Sequence, residues 1–516
     1  MIRNHKPLPA LKDLSAHNAA KSRDSVAFED NTESVTWGEF EERSLLAADV
    51  LHRYVSKGDR IGFYCEPSVR HAAAFVGALK TGAVTTNFHV RTAPDAFRHA
   101  VETASPRVVV VDEGLADSFA ENLTDDLLET ISAVFVVGTA TRDYEQSWDD
   151  ALDTAEPETP DVLVDEDDIA IIGWTSGSTG RPKGLCHTNR TMYLKGMELA
   201  TRSGFSRAEK KLVVNKPSFL IWSSFLTRAL LGCESTYYMS EWSPEGWLET
   251  VEAKGITQTT LVPTMWRAIL EASPDGYDLS SLTGIGSTGE KLSPATLARL
   301  RDEICETISQ SYGSTEIHST VLFNNELTDE RIESVGKPQS GTEVRIVEPG
   351  GPLDEELPPN EAGEIVVNSP DAPVWAWENS AVIERSFEDG WWRSGDLGYK
   401  DEEGFLYIEG RVDFQIKSKG VKIVPEPIEE AITEHPDVAN AVVVGVADEE
   451  YGQRVTAIVT PASDALTEDD LREWVLNHDK VARHERPRAY KFVSAIDRTP
   501  SGKLDRQRTK QRLELE

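Results

Sequence analysis

Short apolar runs alternate with helical patterns along most of the chain, and this alternation limits the possible folds more than any other feature. Val108 to Val111 and Val134 to Val137 are apolar runs bounded by turn residues, as is typical of buried strands. Val69 to Lys80 has a helical pattern, and Thr81-Gly82 is a suitable end for that helix. Strands that alternate with helices form mostly parallel sheets. The sequence therefore predicts an α/β fold.

Individual element boundaries are also readable. Ser34 to Phe40 is interpreted as a strand end followed by a helix start, with Thr36 as the N-cap and Glu39 three residues later. That spacing is typical of a capping box. Further along, Ile256 to Pro263 predicts a strand, and Met265 to Leu270 predicts the start of the next helix.

The chain changes character twice in its second half. Residues 341 to 410 lose the helical pattern and alternate apolar with polar residues, which predicts a β-rich subdomain. From Asp413 onward, helices and strands follow one another in a segment the size of a small α+β domain. We therefore predict a large N-terminal domain over residues 1–411, with parallel-sheet α/β subdomains and the β-rich part. A small, mobile α+β domain follows over residues 412–516.

Composition excludes several classes of protein. No run of about 18 apolar residues is present, so no membrane span is expected. The N-terminus lacks the apolar centre of a signal peptide, which makes a cytoplasmic location the expectation. The four cysteines are scattered and form no CxxC pair, which indicates neither a zinc site nor a disulfide framework. Buried, reduced thiols are expected.

The net charge of −35 arises from 88 acidic and 53 basic residues. Such a field disfavours binding to nucleic acid. The acidic residues recur along the whole chain instead of forming one tail, as in the runs at 165–168 and 468–470. A spread acidic surface fits a protein adapted to high salt, where screening removes most of the self-repulsion. We hypothesise a halophilic source, namely a halophilic archaeon.

The segment from Thr175 to Gly184 has the chemistry of a phosphate-binding loop. The apolar run Ile169 to Ile172 precedes it, and the helix-compatible Thr188 to Leu199 follows, so we expect a loop between a strand and a helix. Its glycines permit close approach of the backbone, while hydroxyls, N–H groups, Arg181 and Lys183 suit a polyphosphate. The spacing does not fit the Walker A pattern. The alternative is a flexible Gly/Ser surface loop.

Four further segments carry chemistry at turns. Gln310 to Glu316 combines an aromatic ring, a glycine, hydroxyls and a carboxylate, and such a carboxylate suits Mg²⁺ with bound phosphates. Ser394 to Gly398 offers Asp396, which can accept from both hydroxyls of a ribose. Gly410 to Asp413 follows a strand, and Thr499 to Arg506 places a lysine in a glycine-containing turn. Each alone is more often an ordinary turn.

In this order and at these distances, the segments make the chain resemble the adenylate-forming superfamily of acyl-CoA synthetases, peptide-synthetase adenylation domains and luciferases. The resemblance covers nearly the whole chain, from about Trp37 to Arg506. It implies that ATP and a carboxylic acid form an acyl-adenylate and pyrophosphate, and that a thiol then attacks the acyl-adenylate. The implied cofactors and partners are ATP, Mg²⁺, coenzyme A and a carboxylic acid.

The resemblance also implies roles for individual residues. Thr315 would contact the α-phosphate, Glu316 the Mg²⁺, and Lys503 would bridge the carboxylate and the α-phosphate. Asp396 and Arg411 would bind the ribose. The loop that would hold the β- and γ-phosphates comprises Thr175, Ser176, Gly177, Ser178, Thr179, Gly180 and Lys183. The residues that would flank adenine are Gly289, Glu290, Lys291 and Tyr312, and Gly313 and Ser314 would be further cofactor-binding residues.

Asp413 matches the hinge of that superfamily, about which the small domain turns between the two half-reactions. Turning would withdraw Lys503 and bring in a loop that lines the channel for the pantetheine arm, here Ser418, Lys419 and Gly420. Taken alone, Asp413 would be an ordinary turn aspartate. The chain departs from the superfamily pattern at Phe414, where many relatives have a second Asp, and at Pro427, where a Glu is usual.

The acid-binding pocket is inferred by analogy. Acetate-specific relatives carry Trp where Gly313 stands, so an acid larger than acetate is expected. Relatives that activate amino acids carry an Asp near Leu220, and an apolar residue there would leave a buried ammonium unpaired. Trp222 and His318 are further candidates for the pocket wall, although ordinary core packing is an equal alternative.

The predicted function is therefore an AMP-forming acyl-CoA synthetase. No carrier-protein segment follows Lys503 in the sequence, which favours free coenzyme A as the acceptor. Loading of a separate carrier protein is one alternative, and a non-catalytic nucleotide-binding relative is another. Retention of Lys503, Glu316 and Asp396 argues against the last.

Overall fold

The computed structural model describes most of the chain. The described residues are 8–175, 182–203, 208–290, 292–317, 321–324, 331, 333–339, 341–377, 387–463, 465–478, 481–498 and 504–515. They confirm the predicted mixed α/β architecture, with parallel-sheet subdomains, a β-rich part and a small C-terminal α+β part.

The helices begin and end as follows in chain order. The first group is α1 (Leu14–Ser22), α2 (Trp37–His52), α3 (Val69–Lys80), α4 (Pro94–Ala104), α5 (Ala116–Asn122), α6 (Asp125–Thr130), α7 (Trp148–Asp153) and α8 (Asn189–Ser203). The second is α9 (Leu220–Gly232), α10 (Pro244–Lys254), α11 (Pro263–Glu271), α12 (Pro294–Glu303), α13 (Glu426–Thr433), α14 (Glu468–Leu476) and α15 (Arg506–Arg512).

The strands up to residue 261 are β1 (Val26–Glu29), β2 (Ser34–Thr36), β3 (Arg60–Tyr64), β4 (Val84–Asn87), β5 (Val108–Asp112), β6 (Ala133–Val137), β7 (Glu145–Ser147), β8 (Ile169–Thr175), β9 (Lys183–Thr188), β10 (Lys210–Val213), β11 (Ser235–Tyr238) and β12 (Gln258–Leu261). The remainder are β13 (Gly284–Thr288), β14 (Ile308–Tyr312), β15 (Val321–Asn324), β16 (Lys337–Pro338), β17 (Glu343–Val347), β18 (Gly363–Asn368), β19 (Trp375–Ala376), β20 (Phe387–Glu388), β21 (Trp391–Lys400), β22 (Leu406–Arg411), β23 (Ile416–Ser418), β24 (Val421–Ile423), β25 (Val438–Asp448), β26 (Gly452–Pro461) and β27 (Ala489–Phe492).

Two large sheets contain most of the N-terminal strands. The eight-stranded sheet has the order β19-β9-β8-β4-β3-β5-β6-β7, and the nine-stranded sheet has the order β16-β15-β14-β13-β12-β10-β11-β1-β2. The central pairs are parallel, and so is the edge pair β6 with β7. Antiparallel pairs lie toward the other edge of the eight-stranded sheet, as in β8 with β9, and at both ends of the nine-stranded sheet, as in β14 with β15 and β1 with β2. The predicted alternation of strands and helices explains the parallel centres.

One hydrophobic core joins these two sheets. Phe63 of β3 and Val110 of β5, from the eight-stranded sheet, share it with Val213 of β10 and Tyr238 of β11, from the nine-stranded sheet. Helix α3 is buried along nearly its whole length within this core. The sheets are therefore packed together, and residues at their ends can meet.

Packing of the backbone divides the chain into two compact units. One comprises Met1–Val344 and Val367–Trp392, and the other comprises Arg345–Val366 and Arg393–Glu516. The second unit contains the C-terminal sheet of order β24-β23-β26-β25, in which β27 pairs with β26. The predicted boundary between residues 411 and 412 stays a prediction.

Several element predictions are confirmed in detail. Thr36 caps α2, with its hydroxyl accepting from the Glu39 N–H and the Glu39 carboxylate accepting from the Thr36 N–H. The four cysteines are free and buried. The predicted strand over Ile256 to Pro263 is wrong at its end, because Pro263 is the first residue of α11, a position that proline favours. Among the described residues, no helix is long and apolar enough to cross a membrane.

Candidate active site

The predicted phosphate loop closes a β-hairpin. Strands β8 and β9 are antiparallel, and Thr175 pairs with Lys183 at their ends. The expectation of a loop between a strand and a helix is therefore wrong, because β9 intervenes before α8. Thr175, Lys183 and Gly184 also belong to strands instead of to the loop. Ser176 to Arg181 lie outside the described residues, so the structure places the two ends of the segment.

Gly173 on β8 marks the point where three predicted site segments meet. A Cβ atom built at Gly173 would lie 3.3 Å from Cδ1 of Leu220 and 3.4 Å from Cγ2 of Thr315. Leu220 begins α9, and Thr315 lies in the turn after β14. The space beside Gly173 is thus bordered by both the predicted acid-pocket residue and the residue predicted to contact the α-phosphate. A side chain at this position would crowd both neighbours.

The turn after β14 is held by its own hydrogen bonds. The Ser314 N–H donates to the Ile317 carbonyl at 2.7 Å, and the Ile317 N–H donates to the Ser314 hydroxyl at 3.2 Å. Between these anchors lie Thr315 and Glu316, both half-buried. The compact turn presents their side chains at the end of the strand.

The predicted adenine segments are neighbours. Strands β13 and β14 are parallel, with Thr288 paired to Ser311, so the segments that follow them leave the same edge of the sheet. Gly289 has φ +90°, a conformation that L side chains rarely adopt, and it turns the chain directly after β13. Tyr312 ends β14. Ligands of open α/β sheets bind outside the carboxyl ends of strands.

A buried polar cluster lies behind the hairpin and was missed by sequence reasoning. The His187 ring on β9 faces the Thr315 backbone, and burial, followed by the nearby charge of Lys195, lowers its pKa well below the usual value. Lys195 forms a buried ion pair with Asp371, at 3.1 Å from Nζ to Oδ2. The Ser369 hydroxyl donates to the same carboxylate. In the sequence, the signal for this cluster is a histidine three residues after Gly184, the end of the phosphate segment.

In the second compact unit, the two predicted ribose-binding residues meet. Asp396 and Arg411 are paired across β21 and β22, and Nη1 of Arg411 lies 2.7 Å from Oδ1 of Asp396. The Asp396 N–H donates to the Ser394 hydroxyl at 2.9 Å. Gly395 has φ +68°, and a Cβ there would lie 3.0 Å from Arg411 Nη2. A carboxylate supported in this way can accept from a diol.

The predicted hinge and pantetheine loop lie at turns of the same unit. Asp413 is the middle residue of a 3₁₀ turn, Val412–Phe414, between β22 and β23. Lys419 and Gly420, both with positive φ, form the two-residue connection between Ser418 and Val421, which are paired. Nζ of Lys419 lies 2.7 Å from Oε1 of Glu450, so its charge is paired.

Other predicted site residues are placed less directly. Trp222 is fully buried and stacks on His71 with ring centroids 4.5 Å apart, so the alternative of core packing describes it. Lys291, His318 and Lys503 lie outside the described residues. Within the described part of the chain, no three His, Cys, Asp or Glu side chains are grouped as a metal site.

Fold and site define an α/β protein whose candidate ligand-binding residues lie at the carboxyl ends of parallel strands. The sequence matches the model of the AMP-binding enzyme family over residues 15–372, and that of the AMP-binding enzyme C-terminal domain over residues 427–503. The chain therefore belongs to the AMP-binding enzyme family.

Relatives and solved structures agree with this membership. Acetyl-coenzyme A synthetase of Bacillus subtilis (strain 168) is 29% identical over 514 residues, covering 96% of this chain and 88% of that protein. A feruloyl-CoA synthase of Amycolatopsis sp. is 29% identical over 501 residues, covering 96% of this chain and 97% of that protein. The fold is similar to the structure of o-succinylbenzoate CoA synthetase from Bacillus subtilis with an acyl-adenylate intermediate. The TM-score is 0.85 at 23% identity, and the match covers 96% of this chain and 97% of that chain. The predicted enzyme class, an AMP-forming acid–thiol ligase, is confirmed.

Proposed function

We propose that the protein activates a carboxylic acid larger than acetate and transfers it to free coenzyme A. The observation that supports this best is that the side chains of Leu220 and Thr315 border the same space beside Gly173. Leu220 is apolar and only 5% exposed. An amino acid bound there would bury an ammonium without a partner, at a cost of several kcal/mol. Gly313, which is exposed, adds no side chain that would restrict the acid to acetate.

The proposed chemistry has two steps. A carboxylate oxygen attacks the α-phosphorus of ATP, the bond to the bridging oxygen breaks, and pyrophosphate leaves. The sulfur of coenzyme A then attacks the acyl carbon, loses its proton to solvent and displaces AMP. Both steps depend mainly on positioning and on charge neutralisation, so no nucleophilic side chain is needed. Bound Mg²⁺ would offset phosphate charge, and a related synthetase has been solved with ATP and a magnesium ion.

The proposed residue roles follow the sequence prediction. Thr175, Lys183 and the residues between them hold the β- and γ-phosphates, while Thr315 contacts the α-phosphate and Glu316 the metal. Asp396 and Arg411 bind the ribose, which their contact at 2.7 Å supports. The segments after β13 and β14 flank adenine.

The small domain, from residue 412, turns about Asp413 between the two steps. A short turn between strands is the kind of position that absorbs such a change. We expect Lys503→Ala to lose formation of the acyl-adenylate and to keep thioester formation from supplied acyl-adenylate. Equal loss of both steps would contradict this movement.

The experiment that tests the function is release of AMP across a panel of acids, with and without coenzyme A. Aliphatic and aromatic acids longer than acetate should turn over only with coenzyme A present. Preference for acetate would overturn the proposed acid class. Turnover that requires a carrier protein would identify that protein, instead of free coenzyme A, as the acceptor. No turnover with any acid would favour a non-catalytic nucleotide-binding protein.

We also propose a halophilic source and a cytoplasmic location. The net charge of −35, spread over the chain, supports the first. A surface of this kind is expected to need salt to offset its self-repulsion.

A further inference from the structure

Arg506 is enclosed by charged and aromatic groups within the C-terminal part of the chain. Its Nε donates to Oε1 of Glu429 at 2.9 Å, and its Nη2 lies 2.7 Å from Oε2 of the same carboxylate. Nη2 also lies 3.1 Å from Oε1 of Glu426. The guanidinium carbon is 4.5 Å from the ring centroid of Phe414. These four residues form what we call the Arg506 cluster, and the Arg506 side chain within it is only 13% exposed.

The Arg506 cluster joins two segments to which the proposed function assigns roles. Phe414 ends the 3₁₀ turn that contains Asp413, and Glu426 and Glu429 lie on α13. Arg506 is the first residue of α15 and stands three residues after Lys503. Both flanks of residues 499–503 are held, because Arg498 and Leu504 form an antiparallel bridge and the Asp505 N–H donates to the Asp497 carbonyl at 2.7 Å.

Glu426 extends the Arg506 cluster to the strand before the hinge. Its Oε2 atom is buried without a hydrogen-bond partner, and a Cβ on Gly410 would collide with that atom. Gly410 directly precedes Arg411 in β22. Burial raises the pKa of Glu426 to about 7, although the Arg506 charge opposes this shift. The Glu426 carboxyl group is thus buried, at a cost in free energy, between Gly410 of β22 and the Arg506 side chain.

We propose that Arg506 is a positioning residue for formation of the acyl-adenylate. It fixes the start of α15, three residues after Lys503, to the hinge turn and to α13. The bidentate contact with Glu429 and the contact with the Phe414 face both depend on the planar guanidinium, which a lysine does not reproduce. This inference rests on the proposed role of Lys503.

The test measures the two half-reactions separately in the full-length protein. Arg506→Lys should lower the rate of pyrophosphate release about tenfold or more, because small misplacements of a reacting group are costly. The KM for ATP and thioester formation from supplied acyl-adenylate should stay within about twofold of wild type. Arg508→Lys is the matched control, since Arg508 lies on the same helix with a side chain 70% exposed, and it should behave as wild type.

A second variant, Phe414→Leu, keeps the test decisive if Arg506→Lys fails to fold. It removes the ring and keeps both ion pairs, and it should slow pyrophosphate release about threefold while sparing the thioester step. Parallel loss of both half-reactions, or no loss in either variant, would overturn the positioning role alone. Absence of pyrophosphate release by the wild-type protein with every acid would overturn the proposed function and this inference with it.

Discussion

Leu220 is the residue on which the proposed choice between classes of substrate depends. It is buried, it begins α9, and its Cδ1 lies 3.3 Å from the place that a Cβ on Gly173 would occupy. The resemblance to amino-acid-activating relatives places it in the acid pocket, and this role stays a prediction. Its closeness to Gly173 could not be predicted, because the two residues belong to elements that are distant in the chain.

Leu220→Asp is expected to abolish activity with simple carboxylic acids. The new carboxylate would be buried beside the acid, and the lost binding of several kcal/mol corresponds to at least about a hundredfold lower kcat/KM. Kinetics with a medium-chain and an aromatic acid will check this. The control Leu220→Met conserves the volume of the side chain, and its kcat/KM should stay close to that of wild type. Undiminished activity of Leu220→Asp would place the acid elsewhere.

Asp112 gives a prediction about pH. Burial raises its pKa from 3.8 to about 6, although the Glu66 N–H donates to its Oδ2 at 2.6 Å. The folded protein therefore binds this proton more tightly than the unfolded chain, and the contribution to stability is lost as pH rises from about 4 through 6. Asp112→Asn should not lose stability in this way, because an amide does not titrate in this pH range.

Thermal unfolding at pH 5 and pH 7.5 should show the difference. Relative to wild type, the free energy of unfolding of Asp112→Asn should rise by about 1.4 kcal/mol between these two pH values. The variant keeps an oxygen that can accept from Glu66. A gain at pH 5 that disappears at pH 7.5 would have the wrong sign and would reject this account.

At the scale of elements, local sequence patterns predicted well those features that local interactions determine, such as helix bounds and N-caps. The helix α3 was predicted with its observed bounds, and the N-cap of α2 was predicted from Thr36 and Glu39. Strand β9 was missed because Lys183 to Thr188 contains few apolar residues and runs directly into α8. Its strand state comes from pairing with β8 and β19. Tertiary pairing of this kind leaves little trace in a local pattern.

Thr36→Ala tests the capping box. Removing the hydroxyl leaves the Glu39 N–H without its acceptor, and helix caps of this type are worth about 1 kcal/mol. The free energy of unfolding should fall by about that amount, whereas Thr36→Ser, which keeps the oxygen, should be nearly unchanged. Chemical denaturation is the measurement, and equal stability of the Ala and Ser variants would contradict the role of the cap.

At the scale of the whole molecule, the structure brings together residues to which the order of the motifs assigned related roles. Asp396 and Arg411, both assigned to the ribose, are in contact, and the segments with Thr315 and Leu220 meet beside Gly173. The roles themselves stay predictions. His187, Lys195 and Asp371 were not predicted, since a buried ion pair between distant segments has no sequence signature of its own. Sequence order thus indicates which segments converge, and packing decides which side chains support them.

The net charge of −35 leads to a prediction for the whole molecule. Repulsion among surface carboxylates destabilises the folded state, and salt shortens its range from about 10 Å at 0.1 M to about 3 Å at 1 M. The melting temperature should therefore rise steeply with KCl up to about 1 M. NaCl at equal ionic strength is the control and should act similarly, because screening depends on ionic strength. A melting temperature that is unchanged or lower between 0.1 M and 3 M KCl would refute the proposed adaptation to salt, since the spread carboxylates would then carry no repulsion that salt relieves.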